Sequence, residues 1–246
     1  MYLGVLTEYN LGENKIEDKM FYRLFGIEDV VCMRRLLPRG GVFVDVGANI
    51  GHLSAIAGGI VGTTGEVHCF EPVPEYYRRL RILATNNPRY RIITNNCALG
   101  DMDGTVRMRV CTTGNIGRNT IVGDWMGVDA TREIEVPIRR LDSYLREHNI
   151  ERINLIKIDT EGYEVPVIRG LSGYFENTSQ RPPIICEVTP KAASAFDATP
   201  DEVRKYLTKY GYQMFDIMTW EAMSESDFAG REEGTFDVLF MRSRHR

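Results

Sequence analysis

The first chemical signal in this chain comes from acidic residues and glycines at fixed intervals. Asp45-Val46-Gly47-Ala48-Asn49-Ile50-Gly51 closes an apolar run, and Glu71 stands twenty residues beyond Gly51. Glycines at a strand-to-helix turn let the backbone approach a ligand at a helix N-terminus. An acid closing the next strand is an acceptor-only group, suited to the two vicinal hydroxyls of an adenosine ribose. Together they point to an adenosine-containing cofactor, and the glycine pattern decides which. A dinucleotide fingerprint needs G-x-G-x-x-G beneath a pyrophosphate. Counted from Gly47, Asn49 and His52 hold the second and third glycine positions, and Asp45 would face the pyrophosphate's negative charge. S-adenosylmethionine instead carries an ammonium that Asp45 can meet. It also carries a carboxylate, which backbone N–H groups around Asn49 to Gly51 can bind. S-adenosylmethionine is the expected cofactor.

These residues need elements to hold them. Val42 to Val46 is apolar on both parities, as is Ile153 to Ile158, and such runs predict strands buried on both faces of a parallel sheet. Glu66 to Phe70 and Pro183 to Val188 read as two more core strands, and Tyr90 to Thr94, extending towards Leu99, as another. Helices are expected over Glu28 to Leu37, from Gly51 to Ile60, over Pro74 to Ala84 and over Asp201 to Tyr210. Gly104 to Val110 alternates and reads as a half-exposed strand, and Glu133 to Ile138 as a strand. Tyr212 to Met218 and Phe236 to Met241 are expected to form a terminal antiparallel pair. Strands alternating with helices argue for one doubly wound α/β domain, with ligands at the carboxyl ends of its strands.

The segments V-F-V-D-V-G-A-N-I-G-H, C-F-E-P, A-L-G-D and I-K-I-D-T-E-G-Y-E occur in that order between about Gly41 and Val188. They resemble the FkbM family of S-adenosylmethionine-dependent methyltransferases, and I-K-I-D-T-E-G is the most specific of them. The resemblance implies a class I methyltransferase fold: a doubly wound, mostly parallel seven-stranded sheet ending in an antiparallel hairpin. It also implies methyl transfer to oxygen, on a hydroxyl of a small molecule, sugar or natural product. By analogy with that fold, Asp45, Gly47, Asn49 and Gly51 line the methionine part and Glu71 holds the ribose. Ala98, Leu99 and Asp101 then lie near the adenine.

An alcohol acceptor must lose its proton, so a nearby base helps. None of the four histidines, His52, His68, His148 and His245, ends a middle strand. Lys157, Asp159 and Glu161 do stand at such an end, and alternation puts Lys157 and Asp159 on one side of their strand. A lysine beside two carboxylates stays charged, so Lys157 is assigned to orientation or electrostatics and Asp159 to the base role. Glu187 is expected to position substrate. Asp159, Glu161 and Glu187 could alternatively hold Mg²⁺, but the resemblance requires no metal and none is expected. A glycine-rich loop, containing Asn119 and Trp125, is the expected substrate lid. It forms an insertion at about residues 111–132 of a methyltransferase domain spanning 41–246, preceded by a helical, substrate-side segment at 1–40.

The net charge of −4 counts against a nucleic-acid partner. Five cysteines without C-x-x-C spacing suggest neither a disulfide framework nor zinc. No leader is visible at the start, and no apolar run reaches the ~20 residues of a membrane span. The expectation is a cytoplasmic protein with a small-molecule or glycosidic partner. Methyl transfer to a nucleic acid or peptide, and cofactor binding without catalysis, are the alternatives.

Overall fold

The computed structural model describes residues 4–10, 17, 19–20, 26–111, 119–121, 131–190, 199–229 and 234–242. In chain order its first elements are α1 (Ile27–Leu36), β1 (Val42–Val46), α2 (His52–Val61), β2 (Glu66–Phe70), α3 (Pro74–Asn86) and β3 (Arg91–Asn95). There follow β4 (Ala98–Leu99), β5 (Gly104–Cys111), β6 (Asn119–Thr120), β7 (Thr131–Arg139) and α4 (Leu141–Glu147). The last third contains β8 (Leu155–Ile158), α5 (Glu164–Arg169), α6 (Ser172–Asn177), β9 (Ile184–Val188) and α7 (Pro200–Lys209). It closes with β10 (Gln213–Asp216), α8 (Glu225–Ala229) and β11 (Phe236–Met241).

Seven strands form the main sheet in the order β10-β11-β9-β8-β1-β2-β3. β1 pairs in parallel with both β2 and β8, and β11 runs antiparallel to both β9 and β10. The chain therefore builds outward from β1 first on one side and later on the other. That reversal opens a crevice at the carboxyl ends of β1, β2 and β8. The two faces of the sheet feed separate apolar clusters. Val44, Val46, Ile156 and Ile158 enter one, while Phe43, Leu155, Ile185 and Leu239 enter the other with Cys32 and Met33 of α1. This explains why the central strands are apolar on both parities. The expected terminal pair forms as β10 and β11.

A second sheet, β4-β7-β5-β6, was not anticipated. The expected extension of the third strand to Leu99 does not occur. β3 stops at Asn95, and Ala98 and Leu99 pair with Ile138 and Arg139 of β7 instead. β5 and β7 form a long antiparallel ribbon whose inward residues, Met108, Val110, Val136 and Ile138, join the main core. The expected insertion thus begins as a strand pairing, with β6 on Arg109 and Val110. Among the described residues no helix is long and apolar enough to cross a membrane.

Candidate functional site

The turn from β1 into α2 is shaped by contacts that only certain residues permit. Gly47 has φ +81°, and a Cβ on it would lie 1.8 Å from the carbonyl oxygen of Asp159, so the two strand-end loops touch backbone to backbone. The N–H groups of Gly47 and Ala48 both donate to the Phe70 carbonyl. The Asn49 N–H donates to Glu71 Oε2 at 2.8 Å, the Ile50 N–H to Asn49 Oδ1 at 2.8 Å, and the Gly51 N–H to the Ala48 carbonyl at 2.8 Å. The expectation that donors around Asn49 to Gly51 wait for a ligand carboxylate is therefore corrected. These three N–H groups have partners within the fold, and the one on Asn49 holds Glu71 in place.

Glu71 is buried, with Oε2 on the Asn49 N–H and Oε1 on the Val73 N–H at 2.8 Å. Burial pushes its carboxyl up to about 7, against the pull of these two donors. Asp45 is buried in the middle of β1's far end and accepts a 2.5 Å bond from Ser54 Oγ of α2. Burial raises it to about 6, with the Ser54 hydroxyl and then Lys157 opposing. An acid inside an apolar strand is costly without such partners.

Across the sheet, Lys157 of β8 is only 2% exposed. Its Nζ lies 2.6 Å from Asp237 Oδ1 of β11, 3.7 Å from Asp29 Oδ1 of α1 and 3.8 Å from Asp159 Oδ2. Burial alone would lower its pKa, but Asp237, Asp29 and Asp159 hold it well above the ordinary lysine value. Asp29 is itself pushed up to about 7 by burial, despite Lys157. Glu187 stands directly opposite Asp237 in the β9–β11 register. Its carboxyl is driven well above the usual range by burial and then by the charge of Asp159. Glu164 steadies the intervening loop, accepting from Thr160 Oγ1 at 3.0 Å and the Gly162 N–H at 2.9 Å. Carboxylate oxygens of Asp159, Glu161 and Glu187 all lie within 4.8 Å of one another, a spread that could hold a cation.

One cavity of about 270 Å³ joins these two regions. Asp45, Gly47, Asn49, Glu71, Ala98 and Leu99 line it, and so do Lys157, Asp159, Glu161 and Glu187. Gly51 and Asp101 do not. Gly51, at φ +88°, is packed so closely against Leu80 and Leu83 of α3 that a Cβ would sit 2.7 and 2.5 Å from their methyl groups. The backbone of Asn119 lies in β6, but its side chain and all of Trp125 fall outside the described residues.

Sequence reasoning missed several wall residues and the lysine's main partners. Phe70 and Met20 are such wall residues; His52, whose place early in the helix after β1 already put it near the site, also lines the cavity, and its Nδ1 hydrogen-bonds Tyr9 Oη at 2.9 Å. Asp237 and Asp29 hold Lys157. An aspartate inside the apolar run Phe236 to Met241 was a legible signal, because a charge there demands a partner; its identity was not.

The methyltransferase FkbM domain model matches residues 45–214. Methyltransferase sdnD of Sordaria araneosa is 27% identical over 186 residues, 64% of this chain and 70% of that protein. The 31-O-demethyl-FK506 methyltransferase FkbM of Streptomyces tacrolimicus is 32% identical over 162 residues, 55% of this chain and 61% of that protein. Across these and two further curated relatives, the matches span 11% to 70% of the relative's own length. Among solved structures, a proposed rRNA-methylase from Clostridium thermocellum shares the fold. Its TM-score is 0.50 at 11% identity, over 87% of this chain and 92% of that one.

Proposed function

This chain belongs to the FkbM methyltransferase family, and from that premise we propose that it uses S-adenosylmethionine to methylate a hydroxyl oxygen on a small molecule or glycoside. One observation carries the reading. A single cavity places two buried acids, Glu71 and Asp45, at one end and the Asp159–Glu187 pair at the other. When bound, S-adenosylmethionine supplies an electrophilic methyl group on a sulfonium.

The residues present fit that cofactor. Two backbone donors fix the Glu71 carboxylate rigidly, and each of its oxygens keeps a lone pair for a ribose hydroxyl. Asp45, bonded once to Ser54, offers its negative charge to an ammonium. Ala98 and Leu99 give an apolar wall for the adenine. Gly47 keeps the strand-end loops in contact, so the two ends of the cavity hold a set separation. Positioning of this kind supplies much of the rate in a displacement that needs donor and acceptor in line.

At the acceptor end, Glu187 keeps the proton that two neighbouring carboxyls share, because it is the more deeply buried. Asp159 is the group placed to take the proton of the acceptor hydroxyl. Lys157, held by Asp237, orients Asp159 without surrendering a proton of its own. The Streptomyces relative, whose name places its methyl on an oxygen of FK506, supports a hydroxyl acceptor here.

Calorimetric titration with S-adenosylmethionine, S-adenosylhomocysteine and NADH, with and without EDTA, tests the reading. Micromolar binding of the first two and none of NADH is expected. Binding of NADH alone would overturn it.

A further inference from the structure

We infer that Asp159, Glu161 and Glu187 form a binding site for a divalent, oxygen-seeking cation at the acceptor end of the cavity. Among the described residues this is the one place where three side chains of ligating type converge. Two come from the loop after β8 and the third from the end of β9, so adjacent parallel strands bring them together. A separate observation points to a missing partner. Glu187 Oε2 is buried in the cavity wall and has no hydrogen-bond partner among the described residues. A buried carboxylate oxygen left in that state is costly, and a ligand that it meets removes the cost.

Lys157 does not meet this need. Its ammonium is nearest Asp237 at 2.6 Å and is shared with Asp29 and Asp159 at 3.7 and 3.8 Å. Among the described residues, that one ammonium serves these three carboxylates. A divalent cation would tie Asp159, Glu161 and Glu187 together.

The donor set selects the ion. Carboxylates favour hard cations such as Ca²⁺, Mg²⁺ and Mn²⁺ over zinc or copper. Oxygens that all lie within 4.8 Å of one another can be spanned by a coordination shell with bonds of about 2.4 Å. Three protein ligands leave coordination positions open for water or an acceptor hydroxyl, whose proton would be more acidic on the ion. Only that role rests on the methyltransferase reading; binding itself rests on the three carboxylates.

The test uses Mn²⁺ and its paramagnetic resonance. Adding the purified chain to Mn²⁺ should quench the free-ion signal with a stoichiometry of one, and excess Mg²⁺ or Ca²⁺ should restore it. Glu187→Gln and Glu161→Gln should each weaken retention by about tenfold or more, the scale at which even supporting partners of a metal act. Glu161 is in a half-exposed loop, so its variant decides the matter should Glu187→Gln not fold. An unquenched signal at millimolar protein would overturn the inference, and so would quenching that neither variant alters. Titration with S-adenosylmethionine in EDTA reads the cofactor independently. Cofactor binding without Mn²⁺ retention sinks the cation site alone, and the reverse sinks the cofactor reading alone.

Discussion

The two ends of the cavity face one physical problem, a carboxyl group taken out of water, and they solve it differently. At the β1–β2 end the hydrogen-bond partners are neutral. Glu71 rests on two backbone N–H groups and Asp45 on the Ser54 hydroxyl. At the β8–β9–β11 end the partner is a charge, with Asp29, Asp159 and Asp237 gathered around Lys157. Neutral donors fix a carboxylate in one geometry and leave it ready for hydroxyls and an ammonium. At the far end one lysine is shared among three aspartates, and Glu187 Oε2 has no hydrogen-bond partner among the described residues. On the reading proposed above, the first end holds something still and the second exchanges a proton or a cation.

The sharpest way to break this contrast is Asp159→Asn. Loss of a base should cut kcat by about 10²–10⁴-fold, while affinity for S-adenosylmethionine in calorimetry stays nearly unchanged. Comparable loss of cofactor affinity with the fold intact would move Asp159 to the cofactor end. Next is Lys157→Met, which strands three carboxylates around an apolar side chain. Urea denaturation should show a loss of about 3–5 kcal/mol, as for other broken buried pairs. Ser54→Ala, at the neutral end, should cost about 1 kcal/mol. Equal effects would erase the distinction between charged and neutral partners.

Glu71→Ala should weaken S-adenosylmethionine by about 1–3 kcal/mol, the value of a hydrogen-bond acceptor with charge, with turnover retained at saturating cofactor. Unchanged affinity would remove Glu71 from the ribose site. The smallest expected effect sharpens the contrast by pH. Folding raises Glu71 and Asp45 to about 7 and about 6, so both carry protons in the folded apo chain below those values. Their contribution to stability is thus complete at low pH, below the values of the unfolded chain, and is lost as pH rises through 6 to 7. Cofactor affinity runs the other way, because ionised acceptors are needed. It should climb by at most about tenfold per pH unit for each proton released, and level off above 7. Thermal melts and calorimetry from pH 5 to 8 should show apo stability falling while the shift on adding cofactor widens. A flat affinity profile would mean that neither acid changes its proton on binding.

Much of the fold was legible because its signals are local. The runs at β1, β8 and β9 are apolar on both parities, and only a strand covered on two sides suits them. The second sheet was not legible. Ala98 and Leu99 read as a continuation of β3, and nothing within the segment shows that Ile138 and Arg139 will take them instead. The candidate site divides the same way. Residues at strand ends, Asp45, Glu71, Asp159 and Glu187, line the cavity because strand ends face the crevice. Gly51 was misjudged, because a glycine that admits a ligand and one that admits a leucine methyl look alike in sequence.

By itself, the sequence determined the alternation of strands and helices, the acids at the strand ends and the family to which they point. Periodicity and the cost of burying charge act on neighbours along the chain. Tertiary structure alone decided which partners those acids have. Register sets Asp237 opposite Glu187, α1 delivers Asp29 to Lys157, and the Asn49 N–H turns to Glu71. These contacts join residues 22 to 128 positions apart. A pairing over such distances depends on where each strand sits in the sheet, which no local pattern records.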